Sequence, residues 1–249
     1  MEETESTKPM TVDASLLAVF AHPDDESFRP GGTLALLARC GVRVQVLTAT
    51  RGGAGSCGDP PLCAPDELPA LREKELRCAC NALGLQPPIL LDYQDGKLDE
   101  ADPEQFAAQI LEVVKKIHPQ VMLSFGVDGL SGHPDHIVAG LAAAEAFRRT
   151  EEVAVLYTVA VPRSLAESLG MRQIRAVPDE DIVLVVEVSS VWDAKMAAIR
   201  CHRTQLGESP ILTAPEAKQR LFLGTEHFCL SASKNPTNDF FPTLVGKSR

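Results

Sequence analysis

Six short apolar or β-branched runs punctuate the chain: SLLAVFA (15–21), RVQVLTA (43–49), PILLD (88–92), QVMLSF (120–125), VAVLYTV (153–159) and DIVLVVEV (181–188). Between them lie longer stretches with helical periodicity, at 31–40, 66–84, 103–117, 134–149 and 190–206. Near-continuous apolar strands belong to sheets covered on both faces, and parallel neighbours need a crossover, usually a helix. The alternation therefore predicts a Rossmann-like three-layer α/β/α fold with a mainly parallel sheet. The clearest helix is 103–117. Phe106, Ile110, Val113, Val114 and Ile117 recur on one face, and Asp102 before Pro103 offers an N-cap with proline at the first helical position.

With 249 residues, 45% of them hydrophobic, the chain has enough apolar surface for one full core. No shift of composition marks a second domain. The reading is a flexible N-terminal segment over 1–12 and a single domain over 13–249. No apolar run reaches the roughly 18 residues of a membrane span, and the acidic start MEETESTKPM lacks the basic and apolar regions of a secretory signal. A cytoplasmic location without a membrane partner is expected.

A net charge of −10, from 24 basic and 34 acidic residues, would repel a polyanion, so nucleic acid is not expected as a partner. The seven cysteines lack the paired spacing of a structural zinc site and read mostly as reduced thiols. Cys57 and Cys63 are the pair near enough in sequence to bridge. Cys78 and Cys80 point to different helix faces. The tail beyond about 230 reads as turn-rich, with Phe240 and Phe241 as an exposed pair that docks on the body or on a second copy of the chain.

In open parallel sheets, ligands sit beyond the carboxyl ends of the strands. Two polar clusters stand there: AHPDDE (21–26) after the first strand, and SGHPDH (131–136) after the fourth. Each contains His-Pro-Asp, and each offers two metal donors three positions apart: His22 with Asp25, and His133 with His136. Residues i and i+3 share a face of a helical first turn, and proline there costs no helix hydrogen bond. Two histidines and one carboxylate from this set meet the count of a catalytic zinc, which keeps a fourth position for water. Spacing alone leaves open which of His133 and His136 is a ligand. Asp24 then remains beside the metal as a general base, and the spare histidine as a donor to an oxyanion or leaving amine. These are the parts of metal-assisted amide hydrolysis.

The sequence here resembles the PIG-L/LmbE-like zinc-dependent N-acetylglucosaminyl deacetylases, a family that includes enzymes of mycothiol and bacillithiol synthesis. The resemblance rests on AHPDDE, GGTLALLA, the series Arg72, Glu75, Ala79, Leu83 and Gly84, GHPDH, and WDAKMAAIRCHRTQ (192–205). It implies one Zn2+ per chain, or another divalent metal, held by His22, Asp25 and His136. It further implies that Asp24 is the base, that His133 is the electrostatic or acid partner, and that Arg72 and Asp95 contact substrate. The implied substrate is a small N-acetylated amino sugar, the implied reaction is removal of its acetyl group, and homo-oligomerisation is left open. Phe28-Arg29-Pro30 replaces the small glycine-rich turn of the family, so a bulky and a charged side chain border the expected site. The loop RGGAGSCGDPPLCAP (51–65) is likewise this chain's own.

Rival readings carry less. GAGSCG (53–58) has dinucleotide-loop spacing but leads into DPPLCAP, not into a helix whose N-terminus would hold a pyrophosphate. An amidase acting on a larger thiol conjugate, or a non-catalytic zinc- or sugar-binding protein, would keep the same donors. Only the hydrolases need Asp24. His202 stands between packing and substrate contact, and Glu26 is unassigned.

Overall fold

The computed structural model describes residues 14–207, 210–245 and 247–248, so the flexible segment expected over 1–12 lies outside the described residues. Eight strands form one sheet in the order β3-β2-β1-β4-β5-β7-β6-β8. They are β1 (Ser15–Phe20), β2 (Arg43–Thr50), β3 (Ile89–Tyr93), β4 (Val121–Phe125), β5 (Val155–Ala160), β6 (Leu184–Glu187), β7 (Thr225–Ser233) and β8 (Lys247–Ser248). From β3 through β5 every pairing is parallel, whereas β7 pairs antiparallel with both β5 and β6. The α/β class and mainly parallel sheet expected from the alternation are present.

The main helices are α1 (Asp25–Phe28), α2 (Gly31–Arg39), α3 (Leu68–Ala82), α4 (Pro103–Ile117), α5 (Pro134–Arg149), α6 (Arg163–Leu169) and α7 (Trp192–Cys201). Shorter ones follow: α8 (Arg203–Leu206), α9 (Pro210–Thr213), α10 (Glu216–Leu223) and α11 (Phe241–Val245). The Asp102 side chain accepts the Glu104 N–H at 2.9 Å, and Phe106, Ile110, Val113 and Val114 are buried, as the periodicity requires. In α5 a β-carbon on Gly140 would stand 2.7 Å from the Phe125 carbonyl oxygen. Glycine there lets the helix lie against β4 and brings its first turn to the strand's end.

The chain order creates a switch point. After β1 the chain lays β2 and β3 to one side, then returns to place β4 on the other side of β1. A crevice opens where the connections diverge, beyond the carboxyl ends of β1 and β4.

Three readings are corrected. In place of a turn-rich tail beyond about 230, β7 runs from Thr225 through Ser233, a seventh strand beyond the six apolar runs. Glu226, at an inward position beside Phe228, hid the apolar alternation; its buried carboxylate accepts the Gly32 and Thr33 N–H groups at 2.8 and 2.7 Å and the Lys195 ammonium at 2.6 Å. Of the aromatic pair, expected as exposed side chains that dock on the body or on a second copy, Phe241 docks on the body and is fully buried, with ring centroids 4.9 Å from Tyr157 and 5.4 Å from Phe228. Among the cysteines, Cys78 and Cys201 form a disulfide between α3 and α7, while Cys57 and Cys63 are free. Two cysteines 123 residues apart become neighbours because the two helices pack side by side, which no local spacing reveals. No helix among the described residues is long and apolar enough to cross a membrane.

Candidate active site

β1 ends at Phe20, and the next six residues carry half of the crevice chemistry. His22 is nearly buried, and its Nε2 lies 3.0 Å from Asp95 Oδ1 and 3.1 Å from Asp135 Oδ2. Asp135 is fully buried and accepts the N–H groups of Gly96 at 2.8 Å and Leu98 at 3.1 Å. Two carboxylates at Nε2 place the ring proton there and leave Nδ1 as a lone pair. On the other side, His136 Nδ1 is 3.1 Å from the Gly129 carbonyl oxygen, which puts its proton on Nδ1 and its lone pair on Nε2.

These two lone-pair nitrogens face each other at 3.2 Å. Asp25 completes the group, with Oδ1 3.3 Å from His136 Nε2 and Oδ2 3.8 Å from His22 Nδ1. Its Oδ2 also accepts the Ala21 and His22 N–H groups at 3.2 and 2.8 Å. Three acceptors converging on one point demand a cation. A proton serves when no metal is bound: burial disfavours charge on His22, but Asp135, Asp95 and Asp25 outweigh it and push the imidazole up to about 10. A dication fits the same point, since zinc bonds of about 2.0–2.1 Å place tetrahedral ligand atoms roughly 3.3–3.4 Å apart. The donor set thus fits zinc. His22, His133 and Asp135 also lie within 4.8 Å of one another, but both Asp135 oxygens are already taken by His22 and two backbone donors.

Asp24 stands beside this point in a strained backbone, with φ +116°, a region costing on the order of 1–3 kcal/mol for a residue with a side chain. Two neighbours hold it there. Glu26 Oε2 accepts the Asp24 N–H at 3.0 Å, and Arg72 donates to the Pro23 carbonyl and to Asp24 Oδ2, the latter at 3.2 Å. Burial and the Asp25 charge, only partly opposed by Arg72 and His202, push the Asp24 carboxyl up to about 7.

Glu26 and His202 lie fully buried against each other, with Nε2 2.7 Å from Oε1, and the Ser27 hydroxyl donates to the same carboxylate. Desolvation would neutralise each group, but each holds the other charged: Glu26 is shifted down and His202 up. This pairing also breaks the helix expected over 190–206, because His202 leaves the α7 spiral at ψ 52° to reach Glu26.

Arg72 is nearly buried, and its Nη1 donates to the Gly52 carbonyl at 2.9 Å. A β-carbon on Gly52, whose φ is +68°, would stand 2.2 Å from that nitrogen, so glycine in the 51–65 loop is what admits the guanidinium. Asp95 lies in the cleft as expected, but Oδ1 faces His22 and Oδ2 accepts the Ala54 N–H at 2.8 Å. Despite burial, the His22 and Ala54 contacts hold its carboxyl down at about 2. Both residues therefore brace the site as built. His133 is exposed at the start of α5, where its Nδ1 accepts the Asp135 N–H at 3.2 Å. Partial desolvation and the positive charge of His22 lower its pKa, which favours the neutral imidazole, and Nδ1, as an acceptor, leaves the ring proton on Nε2.

The cleft holds about 340 Å3 and is lined by His22, Asp24, Arg72, Asp95, His133 and Gln205 among others. A recess of about 370 Å3 of mixed lining continues past Ala54 and Asp95 to Arg51, Pro69, Tyr93 and Gln94. Across the metal donors lies an apolar chamber of about 260 Å3, walled by Phe28, Phe125, Leu130, Val159 and Phe222.

Open-sheet fold, converging acceptors and adjacent carboxyl define the class: an α/β protein with a metal-fit hydrolytic centre at a topological switch point. Residues 17–147 match the family model described as PIG-L: GlcNAc-PI de-N-acetylase, and the chain belongs to that family. It is 32% identical to the 1D-myo-inositol 2-acetamido-2-deoxy-alpha-D-glucopyranoside deacetylase of Acidothermus cellulolyticus, over 87% of this chain and 88% of the relative. It is 33% identical to a probable N-acetyl-alpha-D-glucosaminyl L-malate deacetylase 2 of Bacillus cereus, over 76% and 83%. The solved N,N'-diacetylchitobiose deacetylase of Pyrococcus horikoshii superposes with a TM-score of 0.63 at 21% identity, over 87% of this chain and 83% of that one, a likeness of fold.

Asp135 and Glu26 are the site residues that sequence reasoning did not place. The signal for Asp135 lay in its duplicate motif: one His-Pro-Asp aspartate faces the cleft, and the other turns inward to hold His22. Asp135→Asn is expected to weaken zinc affinity about 10–100-fold, the usual cost of losing a ligand's orienting carboxylate. Competition with a calibrated chelator checks it; wild-type affinity would show that Asp135 does not orient His22.

Proposed function

We propose that this protein is a metal-dependent deacetylase that hydrolyses the N-acetyl group of a small N-acetylglucosamine-containing molecule. The observation that carries the reading is the convergence of His22 Nδ1, His136 Nε2 and the Asp25 carboxylate on one point, with the Asp24 carboxyl beside it. His22, Asp25 and His136 would hold one Zn2+. When bound, the ion supplies Lewis-acid polarisation of the acyl carbonyl and acidifies water.

The remaining work belongs to the chain's own residues. Asp24, held by Arg72 and Glu26, accepts a proton from the attacking water. Burial lifts this carboxyl above the ordinary carboxylate range, which makes it a better proton acceptor. The Nε2–H of His133 donates to the oxygen that becomes negative at the tetrahedral centre. Asp24 then returns the proton to the departing amine nitrogen, so the products are acetate and a free amino sugar. The recess beyond Asp95 offers Arg51, Asp92 and Gln94 as polar partners for a substituent on the sugar. We take residues 13–249 to act as one catalytic domain.

The test is amine release from N-acetylglucosamine, its inositol and malate glycosides and chitobiose, using metal-stripped and zinc-reloaded protein. Zinc-dependent turnover of at least one member is expected. Zinc binding without turnover of any member would leave a binding protein or an amidase for larger conjugates.

A further inference from the structure

The apolar chamber beside the metal donors contains one group out of keeping with its walls. Arg29, at the end of α1, lines it with its guanidinium carbon 4.7 Å from the Phe222 ring centroid. The side chain is 8% exposed. Nη1 makes a long 3.4 Å contact with the Phe222 carbonyl oxygen, and buried Nη2 has no hydrogen-bond partner among the described residues. A buried, unsatisfied charged donor costs more than an ordinary lost hydrogen bond.

Charge counting sharpens the anomaly. Glu226 is the acid that acts electrostatically on Arg29, but its carboxylate is already paired with the buried Lys195 ammonium at 2.6 Å and with two backbone N–H groups. Among the described residues, two buried cations thus share one anion. Of the acids lining the chamber, Asp24 is paired with Arg72, and Asp25 faces His136 and His22. A positive charge is left over at the chamber.

The chamber is also larger than an acetyl group needs. Its volume of about 260 Å3 compares with roughly 30 Å3 per water molecule in the liquid. Asp25 and His136, two of the metal donors, line the same chamber as Arg29, so a group held at the donors can extend toward it.

We propose that Arg29 is a specificity-determining residue: it pairs with a carboxylate of the substrate, carried a few bonds from the scissile amide, that enters this apolar chamber. The inference rests on the deacetylase reading for its substrate but not for its binding site. The carboxylate has two sources, an acid-bearing substituent on the sugar or a dicarboxylic acyl group on its nitrogen.

Two substrate pairs separate them: the malate glycoside of N-acetylglucosamine against its dimethyl ester, and N-succinylglucosamine against N-butyrylglucosamine. Zinc-loaded wild type is expected to favour the acid of one pair by about 10–100-fold in kcat/KM, the worth of one charge-assisted pair. In Arg29→Met that ratio collapses through KM, and in Arg29→Lys part of it returns. The pair that shows the preference identifies the source. Ratios within twofold in both pairs, or a ratio that survives Arg29→Met, overturn the proposal.

A binding arm keeps it testable without turnover. Calorimetry of succinate and malate with zinc-loaded Asp24→Asn protein is compared with the same protein carrying Arg29→Met, zinc content and thermal melting being matched. A tenfold or greater loss of affinity for either acid supports the Arg29 site even where no substrate is hydrolysed, an outcome that sinks the deacetylase reading instead. Equal affinities overturn the Arg29 proposal.

Discussion

Replacing Asp24 with asparagine or alanine is expected to lower kcat for amide hydrolysis about 10²–10⁴-fold, the usual worth of a positioned base, while zinc stays bound. The separation of the two effects follows from the geometry. Asp24 is not among the three converging acceptors, whereas Asp25, one residue on, points Oδ1 at His136. Asparagine keeps the size and a carbonyl oxygen for Arg72, so it tests proton transfer with the 3.2 Å contact nearly intact. Alanine leaves a nearly buried guanidinium with one partner fewer and should also destabilise. Metal analysis beside single-turnover kinetics decides the matter, and an unchanged rate in Asp24→Asn removes it from the role of base.

His136→Ala is expected to lose metal and activity together. A catalytic zinc rests on three protein ligands, and removing one leaves His22 and Asp25 alone. The substitution also takes away the ring stacked on Phe125 at 4.1 Å, so some loss of stability accompanies it. His133→Ala separates the two histidines, since it should retain metal and lower kcat. Full occupancy in His136→Ala would move the ligand role to His133.

Much of the architecture was legible because parallel βαβ units write their periodicities locally. The 103–117 helix is an example, with its cap, its proline and its buried face all within a short window. β7 was not legible, because an inward position holds Glu226, whose partners Lys195, Gly32 and Thr33 come from elsewhere in the chain. The Cys78–Cys201 bridge and the burial of Phe241 failed for the same reason.

The site divides along the same line. Two His-Pro-Asp motifs after apolar runs were enough, by residue type and spacing, to name His22, Asp24, Asp25, His133 and His136; the family resemblance added Arg72 and Asp95, and all seven line one cleft. Their tautomers, the strained setting of Asp24 and the buried Glu26–His202 pair were not readable from spacing.

By itself, the sequence determined the α/β alternation and the donor chemistry at two strand ends, because strand periodicity and ligand type are properties of neighbouring residues. Only the tertiary structure decided which nitrogen of each histidine is free, that Asp135 and Asp95 brace His22, and that Arg29 has no carboxylate of its own among the described residues. Those depend on the side chains that meet a group across the fold, and hydrogen-bond direction and charge balance are set by those partners.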